Sequence, residues 1–145
     1  MMRALRPEFA ERGMEIEDIC WDDPSADWSI YAAALIGTTW DYWDRQAEFL
    51  AALEDIERET QLYNPAGLVR WNSNKTYLKD LETRGADLIP TLWLDEMCPK
   101  LFQNAFDRLG ESKLVFKRQV GAGASGQHLL TANDEMPDMP HPMMV

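Results

Sequence analysis

The chain has 145 residues, 46% of them hydrophobic and 27% charged, the composition of a globular protein with enough length for one ordinary domain or two small ones. No apolar run approaches the roughly 18 residues that span a bilayer, and a net charge of −11 offers no basic surface to replace the counterions of a phosphate backbone. Neither a membrane nor nucleic acid is therefore expected as a partner. The first residues lack the apolar stretch of a signal peptide, and Cys20 and Cys98 stand far apart without a CxxC spacing. This predicts a cytoplasmic protein with no disulfide framework and no zinc site.

In chain order, residues 3–13 read as a short helix stopped by Gly13. Met14 to Trp21 alternates like a strand, and Asp22-Asp23-Pro24-Ser25-Ala26-Asp27 is turn chemistry. Ala32 to Gly37 is a nearly continuous apolar run, which suits a strand buried on both faces of a parallel sheet. Asp41 to Arg58 carries Trp43, Ala47, Leu50, Leu53 and Ile56 at helical spacing, with Glu54 and Arg58 placed for an i,i+4 ion pair. Gln61 to Pro65 is a short strand. Helix, strand, strand, helix, strand predicts an α/β fold with a parallel sheet.

The remainder has a different grammar. Gly67 to Trp71 fits one helical turn, a helix capped by Asn72 or Ser73 runs to Arg84 and Gly85, and residues 88–94 are extended. A helix from Pro99 to Leu109 ends at Gly110. Lys113 to Val120 alternates as a strand, a glycine cluster follows, and a second strand runs from Gln127 to Thr131. Asn133 to Pro142 is a polar loop, and Met143-Met144-Val145 reads as a strand beginning. Residues 1–65 hold five arginines and fifteen acidic residues, a net of −10, whereas residues 66–145 hold nine basic and ten acidic residues, a net of −1. Every lysine (75, 79, 100, 113 and 117) lies in the second part. The charge break predicts a domain boundary near residue 65.

Gly121-Ala122-Gly123-Ala124-Ser125-Gly126 matches G-x-G-x-x-G by letter. That fingerprint needs a helix opening after the loop to hold a pyrophosphate, and Gln127 to Thr131 is extended instead, which excludes a Rossmann site. No Gly-Lys-Ser/Thr follows, which excludes a P-loop. What remains is a glycine hairpin whose amides can fold over phosphates as a lid, or a plain hairpin loop. Lys117 stands on the strand that feeds the loop, on the face opposite Phe116, where it can meet a phosphate as a point charge. Lys75 falls in the predicted first turn of the 73–84 helix, where the dipole disfavours a cation unless an anion is bound. His128 and His141 lack a nucleophile at an informative spacing, so a hydrolase triad is not supported. Asp22, Asp23 and Asp27 are read as turn formers rather than metal ligands. Trp40, Tyr42 and Trp43 either pack the following helix or line a cleft.

Taken together and in this order, several segments resemble the ATP-grasp superfamily, in particular its glutathione-synthetase-like or RimK-like group. They are Trp21-Asp22-Asp23-Pro24 with Asp27-Trp28; Thr39-Trp40-Asp41-Tyr42; Asn64-Pro65 with Arg70-Trp71-Asn72 and Asn74-Lys75; Pro90-Thr91; and Val115-Phe116-Lys117 leading into Gly121–Gly126. The resemblance implies a parallel-sheet pre-ATP-grasp α/β domain at 1–65, lacking its first strand, and an incomplete α+β lid subdomain with antiparallel strands at 66–145. It implies a ligase that uses ATP and Mg2+ to convert a small carboxylate to an acyl phosphate for attack by an amine or similar nucleophile. By resemblance, Lys75 and Lys117 contact the nucleotide, and Gly121, Gly123, Ala124, Ser125 and Gly126 form the lid over its phosphates. The catalytic and metal-binding residues of the family are expected beyond Val145, so the chain reads as truncated at both ends. Gly37-Thr38 stands where relatives commonly carry an arginine. The competing expectation is a non-catalytic module of the same fold, and a homodimer is left open.

Overall fold

The computed structural model describes residues 2–145, with side chains from Ala4 onward. Helix α1 (Met2–Ala10) opens the chain. Its last turn is closed by Gly13 at φ +71 and by the Met14 amide donating back to the Phe9 carbonyl. The strand expected over Met14–Trp21 does not form: residues 14–20 have no ladder partner. Side chains hold this segment instead, Arg6 donating to the Ile16 carbonyl and to Asp18 at 2.9 Å each, and the Tyr31 hydroxyl to Glu17 at 2.6 Å. Alternation alone could not distinguish a paired strand from this tethered loop.

The Asp22–Asp27 turn forms as read. Asp23 accepts from the amide and hydroxyl of Ser25, and Asp27 caps a single 3-10 turn at Trp28–Ile30 through Ser29. Strand β1 (Ala34–Leu35) pairs in parallel with β2 (Leu62–Tyr63), with helix α2 (Gln46–Glu59) as the crossover. Only one face of this ribbon is covered. Ala34 and Leu62 turn toward Phe49, Leu53 and Ile56 of α2, while Leu35 and Tyr63 remain 62% and 57% exposed. The run at 32–37 is therefore not buried on both faces, because α2 packs against one side alone.

Helix α2 starts at Gln46 rather than Asp41, since residues 41–45 are turns closed by Asp44 and Arg45 amides donating to the Asp41 and Tyr42 carbonyls. Leu50, Leu53 and Ile56 are buried as expected, joined by Phe49, whereas Trp43 lies outside the helix and Ala47 is exposed. Glu54 does not pair with Arg58. It meets Arg70 of α3 (Ala66–Asn72), and Arg58 turns to Asp55. Ala66 and Val69 of α3 join the same apolar cluster as α2 and β2. The predicted single turn at 67–71 is thus a packed helix.

The second cluster gathers around a four-stranded antiparallel sheet in the order β3 (Trp93–Leu94), β6 (Met143–Met144), β4 (Leu114–Arg118), β5 (His128–Leu130). Helix α4 (Tyr77–Thr83) precedes the sheet and stops at Gly85, φ +91. It is shorter than the predicted 73–84 helix because Ser73 and Asn74 belong to the exit of α3 and to a bridge with Val120. Helix α5 (Pro99–Leu109) buries Phe102, Ala105 and Phe106 against Leu114, Phe116, Met139, Met143 and Val145. The apolar C-terminal residues occupy an interior position: Met143 is 1% exposed, and Leu92 and Val145 exchange both backbone hydrogen bonds at 2.9 Å. Among the described residues no helix is long and apolar enough to cross a membrane.

Gly110 ends α5 at φ +70, and a Cβ there would meet nothing within 4 Å. The cost of Gly110→Ala is thus backbone strain without a clash. We expect a loss of about 1 kcal/mol, read as a lower urea midpoint with an unchanged slope.

Candidate functional site

The glycine loop lies between β4 and β5, and a strand follows it, so the exclusion of a Rossmann helix holds. Gly123, Ala124 and Gly126 adopt φ of +62, +60 and +64. This left-handed backbone suits glycine at 123 and 126 and is unusual for Ala124. Two tight turns result, with Ser125 donating to the Ala122 carbonyl and Gln127 to the Ala124 carbonyl. Gly121 is half-buried at the base of the loop, while Gly123, Ala124, Ser125 and Gly126 are exposed along it.

Lys75 meets this loop by a route that the sequence pattern did not reveal. It is not in the first turn of a helix, so the helix-dipole argument for it does not apply. It sits in the turn between α3 and α4, docked on the end of β4 by the Asn74–Val120 bridge and by its own amide donating to the Gln119 carbonyl at 2.8 Å. Its ammonium donates to the carbonyls of Arg118 at 3.1 Å and Gly121 at 3.0 Å, tying the turn to the base of the loop.

Lys117 lies on β4 opposite Met144, half-buried, on the other face of the sheet from Phe116 as alternation required. Burial, and then the charges of Lys117 and Arg118, hold the Lys75 ammonium below the usual lysine range. Among the described residues neither Lys75 nor Lys117 has an ion-pair partner. In a protein of net charge −11, this is a local concentration of uncompensated positive charge beside a loop of backbone amides. It is an arrangement suited to an anion.

Facing the loop is a cleft of about 260 Å³ lined by Gly37, Thr38, Thr39, Trp40, Tyr42 and Ala122. It opens just past the C-terminal end of β1, where parallel strands leave room for ligands. The aromatic segment divides its roles. Tyr42 packs on Phe49 at 5.4 Å between ring centroids, whereas Trp40 is 63% exposed at the cleft. Asp22 pairs with Arg45, and Asp23 and Asp27 are engaged within their turns. His128 is half-buried opposite Phe116 and His141 is exposed.

Two polar residues of the site escaped the sequence reading. Gln119 is 4% exposed and donates to the carbonyls of Leu94 and Met143, stitching β3 and β6 to the end of β4. Arg118 has a side chain only 10% exposed, with its guanidinium 4.3 Å from the centre of the Trp43 ring. The available signal was parity: 118 shares the strand face of Leu114 and Phe116, an unexpected place for a charge.

Residues 2–64 match the family described as D-cycloserine synthetase DcsG, N-terminal domain. Cycloserine biosynthesis protein DcsG of Streptomyces lavendulae is 42% identical over 79 residues, which is 54% of this chain and 26% of that protein. The crystal structure of D-cycloserine synthetase DcsG matches with a TM-score of 0.81 at 29% identity, covering 90% of this chain and 45% of that one. The chain is thus homologous to DcsG and shares its mixed α/β structure, while spanning less than half the length of either relative.

Proposed function

We propose that this chain is the nucleotide-binding part of an ATP-dependent ligase of the ATP-grasp type. The observation that carries the reading is the convergence of Lys75, Lys117 and the Gly121–Gly126 loop at one end of β4. The lysines supply point charges and the loop supplies amide donors for a polyphosphate, and the similarity to a protein named a synthetase supports a ligase-type role. The small carboxylate substrate belongs in the cleft between Trp40 and Ala122, within reach of the loop. In such a reaction the γ-phosphoryl group passes to a carboxylate oxygen, giving an acyl phosphate and ADP, and an amine or similar nucleophile then displaces phosphate. Positioning and charge neutralisation carry most of that catalysis.

Magnesium accompanies ATP in such chemistry. Among the described residues no group of three or more His, Cys, Asp or Glu side chains could hold the ion. In this reading the part of Lys75, Lys117 and the Gly121–Gly126 loop is to bind and orient the phosphates.

Titration calorimetry of the chain with ATP and Mg2+ tests the reading. Micromolar binding is expected, weakened tenfold or more, by about 1.5–3 kcal/mol, in Lys117→Ala as a charge-assisted contact is lost. A folded chain that binds no ATP, or a Lys117→Ala variant that binds unchanged, overturns it. The first of those results would favour a non-catalytic module of the same fold.

A further inference from the structure

The glycine loop rests on Arg118. A Cβ at Gly126 would lie 2.8 Å from the Arg118 Cδ, and one at Gly121 would lie 3.5 Å from its Cβ. Both ends of the loop therefore lie against one arginine side chain. Beyond the loop the same side chain reaches the segment before α2, stacking on Trp43 at 4.3 Å and bringing Nη2 to 3.8 Å from Asp44. Its Nε is buried without a hydrogen-bond partner, and its backbone carbonyl accepts from Lys75. A cation that is nine-tenths buried, incompletely paired and inserted between two separately built parts of the molecule is costly unless its placement does something.

We propose that Arg118 is a positioning residue: it clamps the Gly121–Gly126 loop to the Trp43–Asp44 segment and so sets how far the loop stands open over the cleft. This rests on the reading of the loop as a nucleotide lid, but the clamp itself needs no nucleotide. Stacking on Trp43 supplies the hold. Asp44, 60% exposed and beyond hydrogen-bond distance, adds a weak solvent-screened attraction. Glycine is required at 126, where any side chain would displace the arginine, whereas a Cβ at 121 would make only an ordinary contact with it. The clamp can release without breaking an ion pair of hydrogen-bond length, which suits a lid that must move.

Backbone 15N relaxation on the nucleotide-free chain tests this. Gly121 and Gly126 are expected near the rigid order parameter of about 0.85, falling below about 0.6 in Arg118→Met and in Trp43→Leu. The double variant is expected to fall no further, and Arg118→Lys, which keeps a cation over the ring, to recover part of the loss. Unchanged order at Gly121 and Gly126 in a folded Arg118→Met chain overturns the proposal. If that variant does not fold, unchanged order in Trp43→Leu overturns it equally. A loosened loop in a chain that binds no ATP leaves the clamp standing and removes the nucleotide reading. An unchanged loop in a chain that binds ATP does the reverse.

Discussion

Phe116→Ala is expected to lower stability by about 3–5 kcal/mol, a large part of the 5–15 kcal/mol typical of a whole domain. Phe116 is fully buried at the centre of the second cluster. Its ring stacks on Phe102 at 5.2 Å and 27° and lies 6.1 Å from Phe106, so its loss opens a void on the α5 face. The neighbouring strands cannot collapse freely into that void, because Gln119 holds β3 and β6 to the end of β4. The effect should fall on the second cluster first, since the Phe49–Leu53–Ile56 cluster shares none of these contacts. Urea unfolding followed by circular dichroism reads the loss. A cost under about 1 kcal/mol would mean that the site collapses without a cavity, contrary to the packing described.

The second large effect is expected from Lys75→Met, chosen because methionine keeps the aliphatic length and deletes only the ammonium. Two functions go together: the point charge beside the loop, and the hydrogen bonds to the Arg118 and Gly121 carbonyls that hold the base of the loop. ATP affinity should fall by about a hundredfold, more than for Lys117→Ala, which loses a charge but no anchor.

A pH signature accompanies Lys75. Its folded pKa lies below the ordinary 10.5, chiefly through burial, then through repulsion by Lys117 and Arg118. Between the depressed value and 10.5 the unfolded chain binds more protons than the folded one, so stability rises with pH in that window; below it both states are protonated and the increment is absent. An arriving phosphate works against the shift, because its negative charge beside the ammonium favours the protonated form. Binding in that window should therefore take up protons, and affinity should fall as pH rises through it. Calorimetry in two buffers of different ionisation enthalpy reads the uptake, and Lys75→Met should abolish it. Proton uptake that persists in Lys75→Met would assign the titration to another group.

The parts legible in sequence were those governed by local chemistry. Proline at the start and glycine at the end marked α5 as Pro99–Leu109, because one cannot donate within a helix and the other accepts left-handed backbone. The Asp22–Asp27 turn, the hairpin around Gly121–Gly126 and the outward parity of Lys117 follow from equally short-range rules. Alternation over Met14–Trp21 misled because a strand needs a partner, and no period-two pattern states whether one exists. The 32–37 run misled for a related reason: its hydrophobicity does not record how many layers will cover it.

The sequence by itself determined the composition of the candidate site: lysines confined to the second part, one of them on the strand that feeds a glycine loop, and a pattern of segments in a specific order. Tertiary structure alone decided how the site is built. Lys75 reaches the loop from a turn 43 residues before Arg118 by bonding to its carbonyl, and Arg118 crosses to Trp43 beneath two glycines. The physical reason is range. Caps, turns and strand parity depend on neighbours within a few residues, whereas a buried cation acquires its surroundings from segments that meet only when the sheet and both apolar clusters have closed.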